Sequence, residues 1–484
     1  MKTIIFLLLS VLVVLILVAI IRTLLLKQKI SIYHPSKDME TARQYALKLQ
    51  KMIEVETVSQ RDKPDPDKFR KLHKVMEGLF PNVFKICEKY DLDGNLLVHW
   101  KGKNPDLQPI ILTSHLDVVP ADGDWSYPPF EGRIVNDKIY GRGAFDVKCG
   151  VFSFYQAVEE LIKDGYVPEC DVYLGSTCTE EIGGDGAGKI GDWFVERGIR
   201  PFMLCDEGGT ITDDPFVGVK GSFAAVGIFE KGYGDIQIIA RGNGGHSSTP
   251  PKNTPIARLA KFEAEIEKKS PFKVEFTPAV DKLLETMAEY CSNFWIKMIL
   301  HNLWLFRPLL KKVMPAISPQ GAAMLQTTMC FTMQKGSDGY NVIPQEASVF
   351  ANLRFIPFED KDASLEVLRK IAEKYDLEIK WIHGNNPSSS LDLNGPQYKM
   401  AKDVINKVFP GVEVIPYVVT GGTDSRFYDG KVDACVRFEP VKVSKEQLAR
   451  MHAIDENLDI NTLPLAVEYY KEIIRKQEER DDYI

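Results

Sequence analysis

Ile110-Ile111-Leu112-Thr113-Ser114-His115-Leu116-Asp117-Val118-Val119 is the stretch that decides the fold. It is apolar, rich in β-branched residues and bounded by Pro109 and Pro120, so it reads as a buried strand. Side chains two apart on an extended chain point the same way, which brings His115 and Asp117 out together at the strand's C-terminal end. Open α/β sheets place their ligand sites at that edge. A neutral imidazole binds borderline divalent metals, and a neighbouring carboxylate can fix its tautomer. Alone, His-x-Asp after a strand is more often a loop hydrogen bond, so the weight falls on the rest of the chain.

Two further apolar strands end in the same manner. Val172 to Ser176 runs into Thr177-Cys178-Thr179-Glu180-Glu181-Ile182-Gly183-Gly184, and Phe202 to Cys205 runs into Asp206-Glu207-Gly208-Gly209. Between the first and second strands, the turn Gly141-Arg142-Gly143-Ala144-Phe145-Asp146-Val147-Lys148 delivers Asp146 to the head of an apolar helix, Gly150 to Leu161. Upstream lie amphipathic helices over Asp38 to Val55 and Lys68 to Phe80, and strands over Val83 to Glu88 and Asn95 to Trp100. Alternating strands and helices predict an α/β fold with its site on one sheet edge.

The pattern changes near Lys231. A strand over Asp235 to Ala240 leads into a Gly-rich turn carrying His246, then a helix over Pro255 to Lys268. Pro278 to Met324 reads as helical and is rich in aromatics and Leu, among them Phe294, Trp295, Trp304 and Phe306. Two strands flank Asn341-Val342-Ile343-Pro344, with Arg354 at the end of the second, and a helix and a strand close the unit by Ile382. Helix Gln397 to Val408, strand Glu413 to Val419, the turn Gly421-Gly422-Thr423-Asp424-Ser425-Arg426, His452 and a last helix, Leu463 to Arg480, resume the first pattern. The predicted organisation is an anchor and connector over 1–29, a catalytic α/β domain in two parts, 30–232 and 386–484, and an inserted α+β lid over 233–385 with a helical insertion at about 278–324.

Residues Ile4 to Ile21 are apolar except Ser10, nearly enough to span a ~30 Å hydrocarbon core at about 1.5 Å per residue, and no small-x-small cleavage site closes the run. A single-pass N-terminal membrane anchor is expected. Its flanking charges, Lys2 before and Arg22, Lys27 and Lys29 after, lean towards a cytoplasmic catalytic part, yet many single N-terminal anchors place theirs outside, so the side stays open. The net charge of −7, without a long basic run, argues against nucleic acid as a partner. Eight cysteines lie far apart with no Cys-x-x-Cys pair, which argues against a thiolate zinc cluster and favours buried free thiols.

His115, Asp117, Asp146, Glu180, Glu181, Asp206 and His452 form a set of two imidazoles and several carboxylates suited to two divalent metals sharing a carboxylate. Of the adjacent glutamates, one would ligate and the other serve as general base. These residues, with Gly141-Arg142-Gly143, Gly245-His246, Asn341-Val342-Ile343-Pro344 and the Gly421 to Arg426 turn, resemble the M20 metallopeptidases, a family that includes Gly-Xaa and glutamate carboxypeptidases, aminoacylases and succinyl-diaminopimelate desuccinylases. The resemblance runs from about Ala42 to the C-terminus. It implies a mixed-sheet zinc-peptidase-like catalytic domain with a dimerisation-type lid, and two divalent ions, Zn first, with Co or Mn as alternatives. Asp146 would bridge them, His115 and Asp206 would complete one site, and Glu181 and His452 the other. Glu180 would be the base, and Asp117 would orient His115. His246, Asn341, Arg354 and Arg426 would hold the oxyanion and the substrate carboxylate, with His246 acting across a homodimer in many relatives. The implied substrate is a short peptide or an N-acyl amino acid cleaved beside its free carboxylate. Alternatives are a deacylase or desuccinylase without peptidase activity, and a catalytically silent membrane receptor.

Overall fold

The computed structural model describes residues 2–483. Its larger sheet has nine strands. Along the main path they run Glu88–Leu92, Asn95–Trp100, Val172–Thr177, Ile110–His115, Met203–Asp206, Cys435–Arg437, Ser222–Glu230 and Glu413–Val419. The central strand Ile110–His115 pairs in parallel with Val172–Thr177 on one side and Met203–Asp206 on the other. Helices Lys148–Lys163 and Gly186–Glu196 make the crossovers between them. All three strands are buried along their whole length, as a parallel sheet covered on both faces requires. His115 sits opposite Thr177, so the strand tips that carry polar residues end level with one another.

The sheet is thus the mixed α/β architecture read from the sequence, with one local correction. Val83 to Glu88 is not a strand: Pro81–Ile86 is a short helix, and the strand begins at Glu88. Pro81 occupies the first turn of that helix, where its missing N–H costs nothing.

Between Glu230 and Glu413 the chain builds a second, antiparallel sheet in the order Thr328–Lys335, Glu346–Phe355, Gly232–Arg241, Glu378–Asn385. Gly232–Arg241 alternates buried and half-buried residues along most of its length, the pattern of a sheet with one face covered. Helices Pro255–Lys268 and Lys361–Glu373 cover it and close a separate core around Ile236, Leu259, Phe262, Leu353 and Leu368. The crossing point is tied at Glu230, whose N–H donates to Ser388 Oγ at 2.9 Å and whose carbonyl accepts from Ser388 N at 3.1 Å.

The helical stretch departs from the sequence expectation. It forms four helices, Pro278–Tyr290, Phe294–His301, Leu303–Ile317 and Pro319–Leu325, which do not join the lid core. Val280, Leu283, Leu284 and Met287 belong to the core of the catalytic sheet, and Pro278–Tyr290 lies on Glu413–Val419. The cause is that Glu413–Val419 ends the sheet while carrying Val414, Ile415 and Val418, which need an apolar cover. The N-terminal helix, Lys2–Leu25, is long and apolar enough to cross a membrane, a test that a signal sequence also passes.

Candidate active site

The polar strand tips converge. His115 Nε2 lies 3.2 Å from Asp146 Oδ1 and 3.4 Å from Glu207 Oε1. His452 Nε2 lies 2.8 Å from Asp146 Oδ2 and 3.2 Å from Glu181 Oε2. Two trios therefore share Asp146: His115, Asp146 and Glu207, and Asp146, Glu181 and His452, each with its donor atoms within 4.8 Å of one another.

Each member is held from behind. His115 Nδ1 donates to the Asp117 carbonyl at 2.8 Å, which leaves Nε2 facing the carboxylates. The Asp117 carboxylate accepts the backbone N–H groups of Glu180 and Glu181, both at 3.1 Å, and the Ser59 hydroxyl at 2.6 Å. The buried Glu456 carboxylate accepts from Gly143 N, Phe145 N, Asp146 N and Arg142 Nη1, fixing the turn that delivers Asp146. Gly143 needs its positive φ of 85°, and a Cβ there would meet Val118 at 2.8 Å. His452 itself has a φ of 61°, a region uncommon for a side-chain-bearing residue and often found at functional sites.

Burial disfavours charge on Asp146, yet hydrogen bonds from His115 and His452 prevail and hold its carboxyl well below the usual range. The same bonds, from Asp146 first and then Glu181, push His452 up to about 10. Glu180 is raised well above an ordinary glutamate by burial, reinforced by Glu207, Asp424 and Asp117. Asp206 is raised likewise by burial, then by Glu207 and Asp424. Glu181 Oε1 and Asp206 Oδ1 are buried with no hydrogen-bond partner. An excess of converging acids with orphaned oxygens fits bound cations, and mixed imidazole and carboxylate donors suit Zn, Co or Mn rather than Ca.

The trios open into a cavity of about 1030 Å³ between the two sheets, lined among others by Glu180, Glu181, Tyr233, Thr423 and His452. Three arginines, Arg61, Arg354 and Arg426, also line it, together with Lys231. Arg354 lies over the Tyr233 ring at 4.8 Å. Arg426 Nη1 donates to Thr423 O and stands 3.8 Å from Glu180 Oε1.

The family model described as peptidase family M20/M25/M40 matches residues 111–476. The chain belongs to that family. Its members are hydrolases of C–N bonds, and this M20 chain is one of them. It is 32% identical over 431 residues to probable carboxypeptidase S-like 2 of Dictyostelium discoideum, covering 86% of this chain and 81% of the relative. It is 30% identical to the N-fatty-acyl-amino acid synthase/hydrolase PM20D1 of Homo sapiens, covering 91% and 88%. The crystal structure of an M20 family metallo-carboxypeptidase from Sulfolobus solfataricus shares the fold, with a TM-score of 0.64 at 18% identity over 89% of this chain and 98% of that one.

Within this M20 fold, His115, Asp146, Glu181 and His452 come together, with Glu180 beside them on the cavity wall. Asp206 does not join either trio; Glu207 stands where Asp206 was expected. Asp206 ends its strand and turns the other way, accepting Ser425 N at 2.8 Å, while the next residue faces His115. The alternation of side chains along a strand is the reason, and Glu207 was already inside the quoted motif. Asp117 touches His115 chiefly through its carbonyl; its carboxylate instead holds the two glutamates. Arg354 and Arg426 line the cavity, but His246 and Asn341 do not. Those two are exposed at the short ribbon where Gly245–His246 pairs with Val342–Ile343. Sequence reasoning missed Glu456 and Arg61, which no spacing rule singles out.

Proposed function

We propose that this chain is a dinuclear metal-dependent hydrolase that cleaves an amide bond beside a free carboxylate, in short peptides or N-acyl amino acids. The observation that carries this reading is two histidine–carboxylate trios sharing Asp146 at the floor of a cavity walled by three arginines. One ion would be held by His115, Asp146 and Glu207, with Glu207 taking the place assigned to Asp206 from the sequence; the other by Asp146, Glu181 and His452. Zinc is the first choice, with cobalt or manganese as alternatives. Bound ions of this kind acidify a water and polarise a carbonyl.

The chain's own residues would do the rest. Glu180, on the cavity wall beside the trios, accepts a proton from the attacking water and returns it to the departing amine. Asp117 fixes Glu180 through its backbone N–H. Arg354 and Arg426 offer paired N–H donors to the substrate carboxylate, a match that a planar guanidinium makes better than lysine. The relatives support this choice: one is a probable carboxypeptidase and another an N-fatty-acyl-amino acid synthase/hydrolase, and both substrate classes carry a free carboxylate.

His246 and Asn341 would serve a second copy's cavity, the lid forming a homodimer; their exposure away from their own cavity supports this. Lys2–Leu25 would remain as a membrane anchor. In support, Ala19 and Thr23 are buried against the body of the protein rather than left on a detached leader.

The test is a panel of dipeptides and N-acyl amino acids, each with a free or an amidated carboxyl group. Hydrolysis of the free acids with loss on amidation is expected. Equal rates on both forms would sink the carboxylate assignment, and hydrolysis restricted to N-acyl amino acids would select the deacylase reading.

A further inference from the structure

The last turns of Lys2–Leu25 do not stand clear of the protein. Asn302 Nδ2 donates to Ala19 O at 3.3 Å and to Thr23 Oγ1 at 3.1 Å, and Lys297 Nζ donates to Leu26 O at 2.9 Å. Most of the helix before Ala19 is exposed, whereas Ala19 and Thr23 are fully buried. Ala19 lies six residues before Leu25, about 9 Å along the axis at 1.5 Å per residue. A span of Thr3–Leu25 sunk to its apolar limit therefore carries its docking partner, Phe294–His301, and with it the start of Leu303–Ile317 at Asn302, down to the level of the lipid headgroups and upper acyl chains.

Those two helices are dressed for that level. Trp295 is 64% exposed, Trp304 49% and Ile317 75%. On Leu303–Ile317, Trp304, Pro308, Leu309, Lys312, Ala316 and Ile317 are the exposed positions, recurring at helical spacing on one face, with Lys312 the one charge among them. A soluble surface rarely gathers so much apolar area, and tryptophan at the headgroup boundary with a lysine reaching outward is the pattern of an interfacial helix.

We infer that Phe294–His301 and Leu303–Ile317 form a second membrane-contacting surface, lying in the interface of the same phospholipid bilayer that Lys2–Leu25 crosses. The inference rests on the anchor reading above. It gives the enzyme two attachments, one spanning and one lying flat, so the catalytic body is held at a fixed tilt rather than swinging on a tether.

The experiment reconstitutes the full chain in phosphatidylcholine vesicles with and without lipid brominated near the top of the acyl chain. Quenching of tryptophan fluorescence is compared between the wild type and W295F/W304F, and the same vesicles are washed with alkaline carbonate. The expected result is quenching that corresponds to two of the six tryptophans and is lost in the double variant, with the protein resisting carbonate. Carbonate-resistant protein with no quenching, or quenching that persists in the double variant, overturns the inference and leaves the anchor. Release of the protein by carbonate overturns the anchor and the inference together. Turnover of a soluble substrate, unchanged in the double variant, checks that its fold is intact.

Discussion

The edge of the large sheet and the rim of the lid both carry residues that resemble family motifs, yet only one assembles a site within this chain. At the sheet edge, parallel strands end level, and carboxylates that never face the cavity brace each tip: Asp117 behind Glu180 and Glu181, Glu456 behind Asp146. On the lid, Arg354 reaches the cavity while His246 and Asn341 are exposed and do not line it. Residues locked by sheet topology complete their geometry alone, and residues on a separate unit depend on what that unit meets.

The sharpest way to break this contrast is at the base. Glu180→Gln should lower kcat by about 10²–10⁴-fold with metal content unchanged, read by steady-state kinetics and elemental analysis. Turnover near normal would remove Glu180 from its role.

Next comes the choice between neighbours. Glu207→Gln should lose one of two bound ions, whereas Asp206→Asn should keep both and weaken metal affinity by no more than about 10–100-fold, the usual cost of a supporting group. The opposite ranking would restore the assignment first read from the sequence.

A third test addresses the lid. His246→Ala and Glu180→Gln should each be inactive alone. Mixed and allowed to exchange subunits, they should recover about a quarter of wild-type activity, because half the dimers then hold one complete site of two. No recovery, or an active His246→Ala, would confine catalysis to single chains.

The smallest effect sits at the junction of the two regions. Burial, aided by nearby Arg354, lowers Lys231 from an ordinary 10.5 to about 7. The folded chain then binds fewer protons than the unfolded one between those values, so stability should rise with pH across that window. Lys231→Met should flatten part of the rise; Lys148, also lowered to about 7 by burial, supplies another part. Thermal unfolding from pH 7 to 10 gives the slopes, and identical slopes would refute the shift.

Much of this was legible in the chain. Apolar runs ending in His, Glu or Asp marked the three central strands, because continuous burial and strand-end polarity are local signals; of the five residues read as metal ligands, His115, Asp146, Glu181 and His452 lie together. Which of Asp206 and Glu207 faces His115 was not legible, since the two differ only in which face of the strand end they take, a difference of one residue in register. Glu456 was silent because its role is to accept backbone N–H groups from a turn some 310 residues earlier. The helical insertion was placed with the lid on grounds of sequence order, whereas it packs where the large sheet lacked a cover.

The central claim is tested most directly by stripping the full chain of metal and titrating zinc back while following bound ions and hydrolysis of an N-acyl amino acid in the same sample. Two ions bound per chain, with turnover absent before the addition and restored by it, is the predicted result. Full turnover from the metal-free protein contradicts it.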